Sequence, residues 1–78
     1  MDFRITTGDT MNSLLFEISI LLCRHAREML ESEISCGRKI KYLEGRGWIS
    51  RIFTITGEKS DVEAVYERLS FWKQGLGE

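Results

Sequence analysis

The sequence predicts a small α+β protein, a two-layer sandwich of helices over an antiparallel-rich sheet in the element order βαββα. Three observations carry this. The chain opens on a short alternating, β-rich segment. Its middle holds two such segments joined by a glycine-rich turn. Two stretches with helical apolar spacing separate and follow them. The 78 residues form one domain (1–78), with 42% hydrophobic and 29% charged residues, the balance of an ordinary globular chain. A formal net charge of -1 disfavours both a strongly basic nucleic-acid binder and an acidic disordered tail.

The first predicted strand is 2–7, with Phe3 and Ile5 on one side and Arg4 and Thr6 on the other. Gly8 ends it. Asp9 or Thr10 then offers an N-cap for a long helix over 10–35. Met11, Leu14, Leu15, Ile18, Leu21, Leu22, Ala26 and Met29 fall on one broad helical face. Phe16, Ile20, Cys23 and Leu30 form an apolar shoulder beside it, which asks for a further partner. Gly37 is the expected stop.

The hairpin spans 38–56, turning at Gly45-Arg46-Gly47. Ile40, Tyr42, Phe53 and Ile55 should face the helices. Lys39, Lys41, Leu43, Trp48, Ser50, Ile52, Thr54 and Thr56 should face away. Ser60-Asp61-Val62-Glu63 has the form of a capping box and opens a second helix over 60–74. Its stripe is Val62, Val65, Tyr66, Leu69 and Trp72. There is no proline, and no linker, low-complexity tract or internal repeat is evident.

A right-handed crossover from the first strand would set it parallel to a hairpin strand. This order resembles the ferredoxin-like βαββαβ plan without its last strand. That resemblance implies a first strand with one open edge, and open edges are protected or used for pairing. Self-association, with a dimer favoured, is the expectation.

Charge is unevenly placed. Residues 1–37 carry a net of -3, residues 38–56 a net of +4 and residues 57–78 a net of -2. The hairpin bases Lys39, Lys41, Arg46 and Arg51 are therefore candidates for contact with an anionic ligand or nucleic acid. The segment Arg46-Gly47-Trp48-Ile49-Ser50-Arg51-Ile52-Phe53 resembles the octapeptide of RNA-recognition motifs at Arg46, Gly47, Trp48 and Phe53. Such a resemblance implies single-stranded RNA on the sheet face. Ser50 stands where that pattern has a stacking aromatic.

The interaction surface expected from sequence comprises Phe16, Leu43, Trp48, Ile52 and Thr54. His25, on the edge of the apolar helix face, reads as a packed residue in the absence of a nucleophile or metal partner placed beside it. Glu28, Glu31 and Glu33 read as an ion-paired helix surface with Arg24 and Arg27. Cys23 and Cys36 lack disulfide and metal spacing, and Cys23 should be largely buried. Neither Gly45-Arg46-Gly47 nor Gly57-Glu58-Lys59-Ser60 matches a phosphate loop.

No catalytic residue, cofactor or metal is implied. The apolar run Leu14 to Cys23 is too short and too interrupted to span a membrane, and it follows no basic cluster, so the cytoplasm is the expected compartment. The functional expectation is a non-catalytic, homo-oligomeric interaction or small-ligand-binding module. Single-stranded RNA binding through the basic hairpin, and a small enzyme with its site at a subunit boundary, are the alternatives.

Overall fold

The computed structural model describes residues 3–76. They form a small α+β domain of four antiparallel strands and two helices. The strands are β1 (Phe3–Thr7), β2 (Ser13–Ser19), β3 (Ile40–Arg46) and β4 (Ser50–Gly57), and the helices are α1 (Cys23–Ser35) and α2 (Lys59–Gly75). The order is ββαββα, not βαββα, and the sheet runs β1-β2-β4-β3 with every neighbouring pair antiparallel. The expected parallel neighbour of β1 is replaced by β2. The predicted strand over 2–7 is present from Phe3 onward, and residue 2 lies outside the described residues.

The main correction concerns 10–35, whose first half is a strand. In Ser13–Ser19 the buried residues are Leu14, Phe16 and Ile18, a period of two. Ser13, Glu17 and Ser19 fill the other face. Only Leu15 breaks the alternation, and it supplied the helical spacing that the sequence suggested. The turn 8–12 folds β2 back on β1. Gly8 N–H donates to the Ser13 carbonyl at 3.0 Å, Met11 N–H donates to the Gly8 carbonyl at 3.2 Å, and Met11 takes a left-handed φ of 59°. A Cβ on Gly8 would lie 2.5 Å from Ser13 Oγ, so a side chain there would make the serine hydroxyl turn away. A 3-10 turn (Ile20–Leu22), with Ser19 Oγ accepting from Leu21 N–H at 3.3 Å, then leads into α1.

Helix α1 stops as predicted. Gly37 has φ 99°, its N–H donates to the Ile34 carbonyl at 3.0 Å, and Arg38 N–H donates to the Glu33 carbonyl at 3.1 Å. This paired closure is a Schellman motif. The capping box expected at Ser60 does not form. The helix starts earlier, at Lys59 with Glu58 as an N-cap lacking a side-chain bond, so Ser60 lies inside it; Asp61 accepts from Arg38 Nη1 and from Lys39 N–H, both at 3.2 Å.

Both helices cover one face of the sheet. Phe3, Leu14, Phe16, Ile18, Ile40, Phe53 and Ile55 from the strands pack with Ala26, Met29 and Leu30 of α1 and Val62, Val65 and Leu69 of α2. Phe16 and Phe53, direct partners across β2–β4, stack at 4.9 Å between centroids, and Phe3 stacks on Phe16 at 6.1 Å. Trp72 meets the Phe3 ring edge-on at 5.1 Å.

The order ββα occurs twice. Phe16 and Phe53 lie opposite each other, and exchanging the halves converts the pair Leu14–Ile55 into the pair Arg51–Ile18. Gly8 and Gly47 play one role: each donates its N–H to a serine carbonyl, Ser13 and Ser50, and each has a serine Oγ where a Cβ would sit. This internal repeat is hidden in the sequence because the turn 8–12 is longer than the turn 47–49 by two residues.

Candidate functional site

The face of the sheet away from the helices is bare. Strand register sets its side chains in rows. One row is Thr6, Leu15, Thr54 and Leu43; the next is Arg4, Glu17, Ile52 and Gly45. Partners in a row have Cβ atoms about 5 Å apart, so Leu15, Ile52, Thr54 and Leu43 form a contiguous apolar surface. Leu43 is 75% exposed, and Gly45 leaves one flank of Ile52 uncovered. Glu17 stands directly opposite Arg4 and accepts from Ser50 Oγ at 2.7 Å.

Trp48 and Ile49 lie in the turn joining β3 to β4, and Trp48 is 97% exposed. The Ile49 carbonyl accepts from Ile20 N–H at 3.1 Å. That bond gathers Ile20, Leu21, Trp48 and Ile49 at one end of the molecule, all exposed. Leu21 and Ile49 were missed from sequence, and Ile20 was seen only as part of a helical shoulder, because the register of β2 against β4 brings them to Trp48. The signal available was the apolar stretch Ile20–Leu22 lying just after the β2 pattern.

Four of the five predicted interaction residues, Leu43, Trp48, Ile52 and Thr54, lie outside the helix-covered face. Phe16 does not. It is fully buried beneath α1 and α2, because residues 13–19 form a strand and its side chain takes the inward parity.

The hairpin bases do not form one patch. Lys41 faces the open side. Arg46 and Arg51 are cross-strand partners on the helix side, in the row that begins at Phe3. Arg51 Nε lies 3.6 Å from Glu44, which also receives a two-pronged contact from Arg27, with Nε and Nη2 both at 3.0 Å. Glu44 thereby raises the Arg27 pKa above its ordinary value, first through the hydrogen bond and then through charge.

The remaining charged groups tie helices to sheet and to each other. Glu33 accepts from Arg68 Nη1 at 2.8 Å and from Arg38 Nε at 3.3 Å. The Arg68 hydrogen bond is the largest influence and lowers the Glu33 pKa. Arg38 is raised, chiefly by its bond to Asp61. Tyr42 donates its hydroxyl to Glu31 at 2.5 Å; that bond, followed by burial, pushes the phenol up to about 12. Arg24 pairs with Glu28 one turn later at 3.4 Å. Of the acidic row on α1, Glu28 and Glu33 are ion-paired, Glu31 accepts from a phenol, and Arg27, expected to pair with this row, pairs with Glu44 of β3.

His25 is exposed, with its ring 4.7 Å from that of Trp72. Cys23 is partly covered and Cys36 exposed, and both are free thiols. Among the described residues no group of three His, Cys, Asp or Glu side chains is placed to hold a metal ion, and no helix is long and apolar enough to cross a membrane.

Comparison with known proteins gives no match to a family model, to a curated protein or to a solved structure.

Proposed function

We propose that the chain is a non-catalytic interaction module whose open sheet face binds a second copy of itself. The observation that carries this is the apolar surface of Leu15, Ile52, Thr54 and Leu43 on a sheet whose other face carries both helices and the core. A folded chain gains by removing such a surface from water, and exposed apolar patches mark contacts of some kind. Two copies stacked face to face would bring Arg4 and Glu17 of each within reach of the other's, a self-complementary arrangement suited to a two-fold dimer.

The size of the face sets the strength. Four strands about 4.8 Å apart and about 20 Å long cover roughly 300–400 Å² in projection. Counted over both copies that is roughly 600–800 Å², below the size of a standard interface, so association on this face is weak, reversible and concentration-dependent. Sedimentation of wild type beside Leu43→Asp and Ile52→Asp tests it. The expected result is a dimer that forms with rising concentration and is lost in both variants. A wild type that stays monomeric at high micromolar concentration overturns the proposal.

The single-stranded RNA reading draws support from the exposed Trp48 and from Lys41 on the open side. The position of Arg46 and Arg51 on the helix side weakens it, since a stacking platform works with bases around it. Salt-dependent binding of single-stranded RNA that is lost in Trp48→Ala would favour it over the dimer reading.

A further inference from the structure

We propose that the free edge of β3 receives an extended segment of a partner protein as a fifth strand, with apolar side chains toward α1 and acidic side chains toward the open face. It borders the face-to-face contact above at Leu43 and Thr54 but uses the outward backbone of β3, which that contact leaves free.

The first support is the backbone. Glu58 N–H donates to the Lys39 carbonyl at 3.2 Å, and Gly47 N–H donates to the Ser50 carbonyl at 2.9 Å. These two bonds fix the parity of the ladder. The odd-numbered residues from Lys39 to Gly47 turn their N–H and C=O groups toward β4. Ile40, Tyr42, Glu44 and Arg46 turn theirs outward, and among the described residues no backbone group from a turn or loop reaches them. An antiparallel strand laid there would find a donor and an acceptor at each of these residues.

The second support is the shape of the edge. A groove of about 490 Å³ runs along it. Its helix side is formed by Ile34, Ile40 and Tyr42, and its open side by Lys41 and Leu43 with Thr56 and Thr54 of β4 beside them. Side chains of an added strand alternate between these two sides. Those toward α1 would meet an aliphatic and aromatic wall; those toward the open face would lie beside Lys41.

Charge selects the occupant. Lys39 and Lys41 share the open-side parity, and neither has an acidic partner among the described residues. The acids nearest to β3 are already engaged: Glu31 by the Tyr42 hydroxyl, Glu44 by Arg27 and Arg51. A second copy's β3 would bring another Lys39 and Lys41 onto the same side, and like charges on facing strands destabilise the pairing. The β1 edge would bring Arg4. Lysines on an edge oppose self-pairing in this way, and the same lysines attract an acidic strand.

The test uses the full isotope-labelled chain and a synthetic peptide of alternating glutamate and valine. Binding should shift the amide resonances of Ile40, Tyr42 and Glu44 and slow the solvent exchange of their N–H groups. Lys39→Glu/Lys41→Glu should weaken binding about tenfold. A peptide with lysine in place of glutamate should not bind. Absence of binding at millimolar peptide, perturbation confined to Leu15 and Ile52 or to the helices, or unchanged affinity in the charge-reversed variant overturns the proposal. A wild type that remains monomeric yet takes the peptide on β3 overturns the face-to-face reading and upholds this one.

Discussion

Replacing Phe16 by alanine removes the side chain at the centre of the β2–β4 pairing. The ring is fully buried and lies between Phe53 at 4.9 Å and Phe3 at 6.1 Å. Loss of a buried phenylalanine costs about 3–5 kcal/mol, covering both transfer to water and the cavity left behind. Both stacked neighbours are themselves held in the sheet, which limits how far they can move into the space. A domain of this length has roughly 4–12 kcal/mol of total stability. The substitution should therefore lower the melting temperature by roughly 15–30 °C, at about 4–8 °C per kcal/mol. Phe71→Ala is the matched control: Phe71 is 80% exposed, and its loss should change stability by no more than about 0.5 kcal/mol. Circular dichroism on heating and in urea reads both. Phe16→Leu, which keeps part of the volume, gives a measurable value if the alanine variant does not fold. A Phe16→Ala protein that melts within a few degrees of wild type, while its self-association changes, would refute the inward placement of Phe16 and restore it to the surface.

Three other outcomes follow from single positions. Gly57→Ala should destabilise by about 1–3 kcal/mol in urea unfolding, since a Cβ there runs into the Lys39 carbonyl and lies 2.9 Å from Ile40 Cα, both backbone. Glu33, held below its ordinary range first by Arg68, stabilises the fold above the pKa of an unfolded glutamate; that stability fades as pH falls through the lower folded value, and Glu33→Gln should flatten the acid limb of a stability–pH curve. Tyr42 acts in the opposite direction: its stabilisation is complete below the ordinary phenol pKa near 10 and is lost as pH rises toward about 12, so phenolate absorbance should show one of the two tyrosines titrating late, and Tyr42→Phe should remove that late step.

The parts of the fold legible in the sequence are those in which pattern and neighbours agree. The hairpin 38–56 has alternating faces and a glycine turn, and Ile40, Phe53 and Ile55 are buried as the alternation requires. The α2 stripe was legible because Val62, Val65 and Leu69 repeat at helical spacing and all reach the core. Residues 13–19 were not, because Leu14, Leu15, Ile18, Leu21 and Leu22 satisfy a helical face, while Leu14, Phe16 and Ile18 satisfy a strand. Pairing on both sides decides for the strand: β2 bonds to β1 and to β4, and a helix there would leave β1 unpaired and β4 with β3 alone. Local sequence carries no record of that. The open face was half legible for the same reason. Leu43 and Ile52 follow from hairpin parity, but Leu15 joins them only once β2 lies beside β4. Likewise Arg51 looked available from its charge alone, and its contact with Glu44 depends on the cross-strand geometry. Ser60 and Glu63 have capping-box spacing, but the helix begins before them, with Glu58 as its N-cap.

The twofold repetition of ββα shapes how the chain acquires its structure. Each half can close its own hairpin quickly, since few residues separate the strands. Joining the halves at Phe16–Phe53 requires closure of a loop of roughly 37 residues, at an entropic cost about 2 kcal/mol above that of either tight turn. Neither hairpin has a covered face until that junction forms, because α1 and α2 contribute to one shared interior. We therefore expect the meeting of the two halves to be the slow event in refolding, so that stopped-flow refolding shows substitutions at the junction retarding folding more than equally costly ones at the outer strands.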